Sequence, residues 1–234
     1  MQLDLSFILT ALQSILPALP MTFLIAFVPL LLGSIIGIIV ALVRLSGWKI
    51  SKALLNFYVS FYRGTPVILH IFLIYFGMPI ISDEWFDISL NGWPIVIFVI
   101  IALTLNAGAF LSEIIRSGIM SVTNHQIDAA ISLGMTTFQV YWRIILPQAF
   151  VVVIPNLTNI IIAFLHASSI AFLVSVKEIT GAANIIASSN LKYLESFIAV
   201  GIVYWVITIL IEVLANQLEK KLTAHVRQGV VQAL

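Results

Sequence analysis

The chain has 234 residues, of which 61% are hydrophobic and only 9% charged, with a formal net charge of +1. A mean hydropathy of +1.13, with apolar blocks about 20 residues long, the length that crosses a bilayer core, marks an integral membrane protein. The absence of cysteine excludes disulfides, iron–sulfur clusters and cysteine-based zinc sites.

The pattern predicts an all-α fold. The opening MQLDLSFILTALQSILPALP has no Lys/Arg-rich leader, so a cleaved signal peptide is not expected. Within residues 1–18, Leu3, Phe7, Ile8, Leu12, Ile15 and Leu16 recur at helical spacing. That spacing reads as an interfacial amphipathic helix entering the first span at Pro17 and Pro20. A membrane domain over residues 19–218 then holds five transmembrane helices: Leu19–Val43, Leu54–Met78, Trp93–Ile115, Ala149–Leu173 and Leu194–Ala215. A tail, 219–234, completes the chain.

Lysine and arginine set the orientation. Arg44, Lys49 and Lys52 fall between spans one and two, Arg116 and Arg143 between three and four, and Lys220, Lys221 and Arg227 after five. The other side holds Lys177 and Lys192 with the acidic Asp83, Glu84 and Asp87. The positive-inside rule puts the C-terminus and the loop of residues 118–148 in the cytoplasm and the N-terminus outside.

That loop is punctuated. Thr123 precedes Gln126 by three positions and Thr136 precedes Gln139 likewise, two capping boxes that start helices. Gly134 falls where the first helix should stop, since glycine accepts the left-handed conformation of a helix end. Ile127, Ala130 and Ile131 share a face, and Ala129 beside Ala130 leaves the backbone open to close approach. A short cytoplasmic helix of this kind suits a partner's groove; the alternative is a solvated connector.

The order Asp128-Ala129-Ala130, three residues, Gly134, nine residues, Ile144, one residue, Leu146-Pro147 resembles the EAA loop of ABC importer permeases, with Asp128 where that family usually has Glu. FYRGTPVILHIFLIYFG (Phe61 to Gly77), LNAGAFLSEIIRSGIMSV (Leu105 to Val122) and, less closely, LHASSIAFLVSVKEITG (Leu165 to Gly181) are similar to further blocks of its polar amino-acid branch. The resemblance implies a five-span permease in a prokaryotic cell membrane, dimeric as two copies or with a sister subunit. It implies two ATPase subunits docked on Asp128, Ala129, Ala130 and Gly134, and an extracellular or periplasmic amino-acid-binding protein. ATP and Mg would sit on the ATPase; the chain has no GxxxxGK[ST] loop to cradle phosphates. Membrane lipid is the remaining expected partner, and nucleic acid is not expected.

Polar residues inside the spans are candidates for the transport route. Arg63-Gly64-Thr65-Pro66 interrupts span two, because proline removes a helical hydrogen bond and arginine at depth is costly unless paired or wetted. It reads either as a broken helix lining the path through Arg63 and Thr65, or as a kink at Pro66 with Arg63 snorkelling to the boundary. Asn106 and Glu113 share a face of span three, and Glu113 and Arg116 are spaced to pair, a structural or gating pair. Asn106 at mid-depth needs a partner or a substrate. His166, Ser168 and Ser169 in span four are further path candidates, against a packing role for the histidine. His70 reads as structural, while His125 belongs to the loop and His225 to the tail. No HxxxH or HxxE spacing is present, so no metal site is expected.

A secondary, ion-coupled transporter is the rival mechanism, although it usually carries more spans and an internal repeat. An intramembrane hydrolase is disfavoured: His166 and Ser168 lie two positions apart, about 200° around the helix, and cannot form a dyad. In the family, the block resembling LHASSI commonly carries Lys-Asp-Thr/Ser-Ser, so His166 and Ala167 replace a charged pair. Glu113 is then the one carboxylate left on the path, and a desolvated cation without a counter-charge costs several kcal/mol. A neutral or dipolar amino acid is expected, cystine and other sulfur-containing amino acids first and glutamine second, with basic amino acids as the alternative. Arg63 and His166 would meet the substrate carboxylate, and Ser168 and Ser169 its polar ends.

Overall fold

The computed structural model describes the backbone of residues 3–46 and 49–231, with side chains as far as residue 221. His225 and Arg227 of the expected tail therefore lie outside the described side chains. Every regular element among the described residues is helical, as hydrocarbon requires of a backbone that must satisfy its own hydrogen bonds. Five helical stretches are long and apolar enough to span a membrane: Leu5–Leu45, Val67–Phe86, Ile95–Met120, Thr137–Val174 and Tyr193–Lys221.

Helix α1 (Leu5–Ile15) starts where the Asp4 carboxylate accepts the Phe7 N–H at 3.1 Å. Its Ile8, Ala11 and Ile15 are buried in a cluster with residues of α10 (Ile179–Asn190) and α11 (Tyr193–Val231), while Leu5 and Leu9 on its outer side are exposed. Asp4 ties this end down, pairing with Lys192 and donating its N–H to Glu195 Oε1 at 3.2 Å. A single 3₁₀ turn, Leu16–Ala18, holding Pro17, joins α1 to α2 (Leu19–Leu45).

Helices α2 and α6 (Ile95–Met120) form the central pair. Gly33 and Gly37, one turn apart on α2, let the backbones meet: a Cβ on Gly33 would lie 2.5 Å from Ala107 Cβ and 2.9 Å from Gly108 N. This is small-residue packing, in which the absence of side chains lets dispersion between backbones hold helices together in lipid. Ile25, Val99, Leu103 and Phe164 fill the core around it.

Span two differs from the expected continuous Leu54–Met78. Helix α3 (Lys49–Gly64) ends at the RGTP stretch, and α4 (Val67–Phe72) begins anew with Pro66 as its N-cap, followed by a π-helical turn (Leu73–Gly77) and α5 (Met78–Phe86). Pro66 lacks the N–H that would continue α3 and drives Thr65 out of the helical region. Of this region, Val67–Phe86 is the stretch long and apolar enough to cross a membrane.

Beyond α6 come α7 (Asn124–Ser132), α8 (Thr137–Val140), a π-helical turn (Tyr141–Ile145) and α9 (Leu146–Ala167), which continues as a 3₁₀ stretch, Ser168–Val174. Of the two expected capping boxes, only Thr136 with Gln139 forms. Thr123 makes no side-chain cap; the Gln126 side chain instead accepts a 2.8 Å hydrogen bond from Gln148 Nε2.

Candidate functional site

At the basic end of the bundle, α7 is closed by Gly134 at φ +81. The Gly134 N–H reaches the Ile131 carbonyl at 2.9 Å and the Met135 N–H the Ala130 carbonyl at 3.1 Å, the bonding that ends a helix on a left-handed residue. Ala130 is not presented outward: it is buried with Val122, Val140 and Ile145, so it fixes α7 to the rest of the chain. Asp128, Ala129 and Leu133 form the outward side, with Leu133 85% exposed. The rest of the chain leaves this side of the braced helix, a leucine beside a carboxylate, uncovered.

Asn106 lies ~16 Å along α6 from Ile95, half the thickness of a bilayer core. The structure brings it to Thr65 through His70, the residue read as merely structural. Asn106 Nδ2 donates to His70 Nδ1 at 3.0 Å. The ring therefore carries its proton on Nε2 and donates to Thr65 Oγ1 at 2.6 Å, and Thr65 donates to the Phe61 carbonyl at 2.7 Å. His70 is 1% exposed, its ring tilted against those of Phe61 and Tyr62. A satisfied polar chain at mid-depth thus holds the break in span two. Only the pairing of imidazole spacing across two helices could have revealed it, and sequence spacing carries no such information.

A second polar cluster sits where α9 gives way to its 3₁₀ stretch. His166, Ser169, Thr180, Val200 and Tyr204 bound a cavity of about 290 Å³. His166 Nε2 lies 3.1 Å from Thr208 Oγ1, and Ser169 turns its hydroxyl onto the His166 carbonyl at 2.6 Å. Ser168 departs from the expected substrate contact: it is fully buried, donating to the Leu165 carbonyl at 2.6 Å and lying 3.3 Å from the Tyr204 hydroxyl. Tyr204 donates in turn to Glu178 Oε2 at 3.1 Å, and Glu178 Oε1 accepts the Gly181 N–H at 2.8 Å.

Glu178 is a second carboxyl inside the fold, behind the wall of this cavity, which the reading of Glu113 as the one carboxylate on the route leaves out. It has 0% exposure, and burial pushes its carboxyl above the usual range, against the opposing hydrogen bonds. Its signal was present in VKEITG, but beside Lys177 at a span end it reads as an exterior charge. Glu178 does not line the cavity: Oε2 lies behind the Tyr204 hydroxyl and Oε1 takes the Gly181 N–H, so the wall offers imidazole and hydroxyls.

Glu113 and Arg116 pair as expected, and the pair is part of something larger. Arg44 Nη1 reaches Glu113 Oε2 at 2.7 Å and Arg63 Nη1 stands 3.9 Å from the same oxygen. Arg63 is thus placed beside Glu113 and over the Phe110 ring, not with His166 where the substrate carboxylate was expected. Among the described residues no group of three or more His, Cys, Asp or Glu side chains is placed to hold a metal.

The described residues thus form a helical bundle with a braced, glycine-stopped helix at its basic end and a polar chain at mid-depth. Residues 33–224 match the family described as the binding-protein-dependent transport system inner membrane component. The chain is 37% identical to the probable amino-acid permease protein YxeN of Bacillus subtilis (strain 168), over 96% of this chain and 98% of that one. It is 33% identical to the L-cystine transport system permease protein TcyL of the same organism, over 87% and 85%; other relatives are named for arginine and for glutamine. The crystal structure of an amino acid ABC transporter with histidines superposes with a TM-score of 0.84 at 30% identity, over 94% of this chain and all of that one. The chain therefore belongs to the inner membrane components of binding-protein-dependent transport systems, as a membrane-embedded permease subunit of an ABC importer. The ion-coupled alternative is set aside by that membership.

Proposed function

We propose that this permease carries neutral or dipolar amino acids, cystine and other sulfur-containing amino acids first and glutamine second. The observation that carries the substrate class is the His166–Ser169–Thr180–Tyr204 cavity, which no carboxylate lines: Glu178 stands behind the Tyr204 hydroxyl, with its other oxygen on the Gly181 N–H. A cationic side chain entering it would lose its hydration without gaining a counter-charge, whereas hydroxyls and an imidazole suit polar, uncharged ends. At about 290 Å³ the cavity approaches the lower bound of ligand sites, near 300 Å³. On this reading His166 and Ser169 face the substrate. Ser168 positions Tyr204, and Thr65, His70 and Asn106 shape the route at the break in span two.

Transport is driven by two ATPase subunits, which hold the ATP and Mg and dock on Asp128, Ala129, Leu133 and the Gly134 turn, with Ala130 as the internal brace. A second permease, identical or a sister subunit, and an amino-acid-binding protein complete the assembly. The basic end is cytoplasmic, with the C-terminus inside and the N-terminus, α1 and its outer apolar side at the outer boundary.

The test is uptake by the assembled transporter, with its binding protein, in liposomes. Excess cystine or glutamine should compete with the substrate; competition by arginine or lysine alone overturns the substrate class. Cysteines at Thr123 and Glu84, challenged from outside with an impermeant thiol reagent, should label only at Glu84→Cys. Reversed labelling overturns the orientation.

A further inference from the structure

The charges around Glu113 do not balance, and permeation does not require their surplus. Arg44, Arg63 and Arg116 all turn to this one carboxylate, and Lys52 lines the adjoining cavity with Arg44 and Arg116. Among the described residues no second carboxylate stands within ion-pair distance of these four cations. Arg44 has only 13% of its side chain exposed and Arg116 27%, so water screens them incompletely. Partly buried like charges repel, and an anion placed among them removes that penalty.

There is room for one. A cavity of about 540 Å³ is bounded by Arg44, Asn56, Ser60, Arg63 and Glu113, and a second, of about 390 Å³, by Arg44, Lys52, Asn56 and Arg116. Asn56 Oδ1 accepts from Arg44 Nε at 2.8 Å, which holds that guanidinium between the two cavities. Guanidinium groups fork two donors onto one tetrahedral oxyanion, and this geometry favours a phosphoryl group over a halide.

Helix α3 indicates where the anion comes from. At about 100° per residue its side chains sort into three faces. Leu55, Tyr58, Val59 and Tyr62 pack inward, and the Tyr58 hydroxyl donates to the Leu105 carbonyl at 2.5 Å. Lys52, Asn56, Ser60 and Arg63 form the second face, over the two cavities. Ile50, Leu54, Phe57 and Phe61 form the third, and all four are exposed. A basic face beside an uncovered aliphatic and aromatic face is the signature of a helix at a lipid boundary, and basic pockets between membrane helices take anionic headgroups.

The geometry points to a binding site for an anionic phospholipid: the phosphoryl group lies among Arg44, Lys52, Arg63 and Arg116, and the acyl chains run along Leu54, Phe57 and Phe61. Glu113 orders the arginines and sets the affinity by subtracting one charge from the cluster. The site depends on the proposed orientation only for its leaflet, and on nothing in the substrate reading.

The experiment uses the permease assembled with its ATPase, in detergent, titrated with phosphatidylglycerol, phosphatidylcholine or inorganic phosphate, with bound lipid counted by native mass spectrometry. Phosphatidylglycerol should be retained in preference to phosphatidylcholine. Lys52→Gln and Arg63→Gln should each weaken it about fivefold. Glu113→Gln should strengthen retention, a sign that no purely structural ion cluster yields. Lys52→Gln removes a charge at the exposed rim, so it stays informative if the other variants assemble poorly. Equal retention of the two lipids, or retention unchanged in Lys52→Gln, overturns the site. Full displacement of the lipid by millimolar inorganic phosphate overturns the lipid as its source.

Discussion

Replacing Gly33 by alanine tests the contact on which the bundle is built. The added Cβ would stand 2.5 Å from Ala107 Cβ, 2.9 Å from Gly108 N and 3.0 Å from the Thr104 carbonyl. Carbon atoms in contact normally keep about 3.5–4.0 Å apart, so α2 and α6 must separate by about 1 Å along their shared face. Two of the three obstructing atoms are backbone and cannot rotate away. Overpacking of this kind costs about 1–3 kcal/mol, while alanine recovers about 0.5–1 kcal/mol of helix propensity. The net loss is about 1–2 kcal/mol, which lowers Tm by about 2–8 °C in a chain of this size. Gly201 on α11 provides the control, since nothing lies within 4 Å of its Cβ position; Gly201→Ala keeps only the propensity gain and should melt at or above the wild type. Thermal unfolding of the detergent-solubilised assembly reads both. If Gly33→Ala melts no lower than Gly201→Ala, α2 and α6 are not held by close backbone approach and the reasoning fails.

Gly134→Leu places a side chain at φ +81, which costs about 1–2 kcal/mol and distorts the end of α7; ATP-driven uptake or ATPase co-purification should fall, and if both stay intact α7 is not the coupling helix. His70→Leu leaves the Asn106 amide and the Thr65 hydroxyl without their partner, at about 1–3 kcal/mol, whereas His70→Gln keeps one bond; a denaturation midpoint equal in all three proteins removes His70 from the support of span two. The Asp4 carboxyl is held well below its usual range, first by the hydrogen bond from Lys192 and then by Ser6 and Phe7. A depressed carboxylate stabilises above its unfolded pKa, near 4, and its contribution is lost as pH falls below that value. The protection factors of the α1 amides, which correct for the intrinsic pH dependence of exchange, should therefore fall on acidification in the wild type and stay constant in Asp4→Asn; the same change in both eliminates this tether.

The spans, their order and the glycine-stopped loop were legible because each is written in local chemistry: runs of apolar residues, a proline, a glycine at a forced dihedral. What escaped was tertiary. The apolar run from Leu54 looked like the start of a span, yet its period carries Lys52, Asn56, Ser60 and Arg63 along one edge of α3, and only Pro66 shows where the spanning segment begins. The GxxxG spacing of Gly33 and Gly37 was available in the sequence, but its meaning depends on Ala107 and Gly108 facing it. Ser168 and Ala130 stand in motif positions that draw attention, and both are buried supports. Sequence spacing gives the face of a helix and does not tell which neighbour covers it.

The two carboxylates show the same limit in energetic form. From the sequence, Glu113 stands inside a span with one arginine three residues away, and Glu178 stands beside a lysine at a span end, so Glu178 looks like the solvated one. The folded chain reverses their surroundings. Glu113 gathers three guanidinium groups and keeps part of its surface open, so its charge is retained and its neighbours hold the excess. Glu178 has no cation within ion-pair distance among the described residues and meets neutral donors, the Tyr204 hydroxyl and the Gly181 amide among them. A buried carboxyl with no counter-cation is pushed toward its neutral form, and in that form it places little field in the cavity beside it. The carboxylate nearest the His166 cavity therefore stands behind the Tyr204 hydroxyl, while the charge of Glu113 is outnumbered by its own guanidinium neighbours.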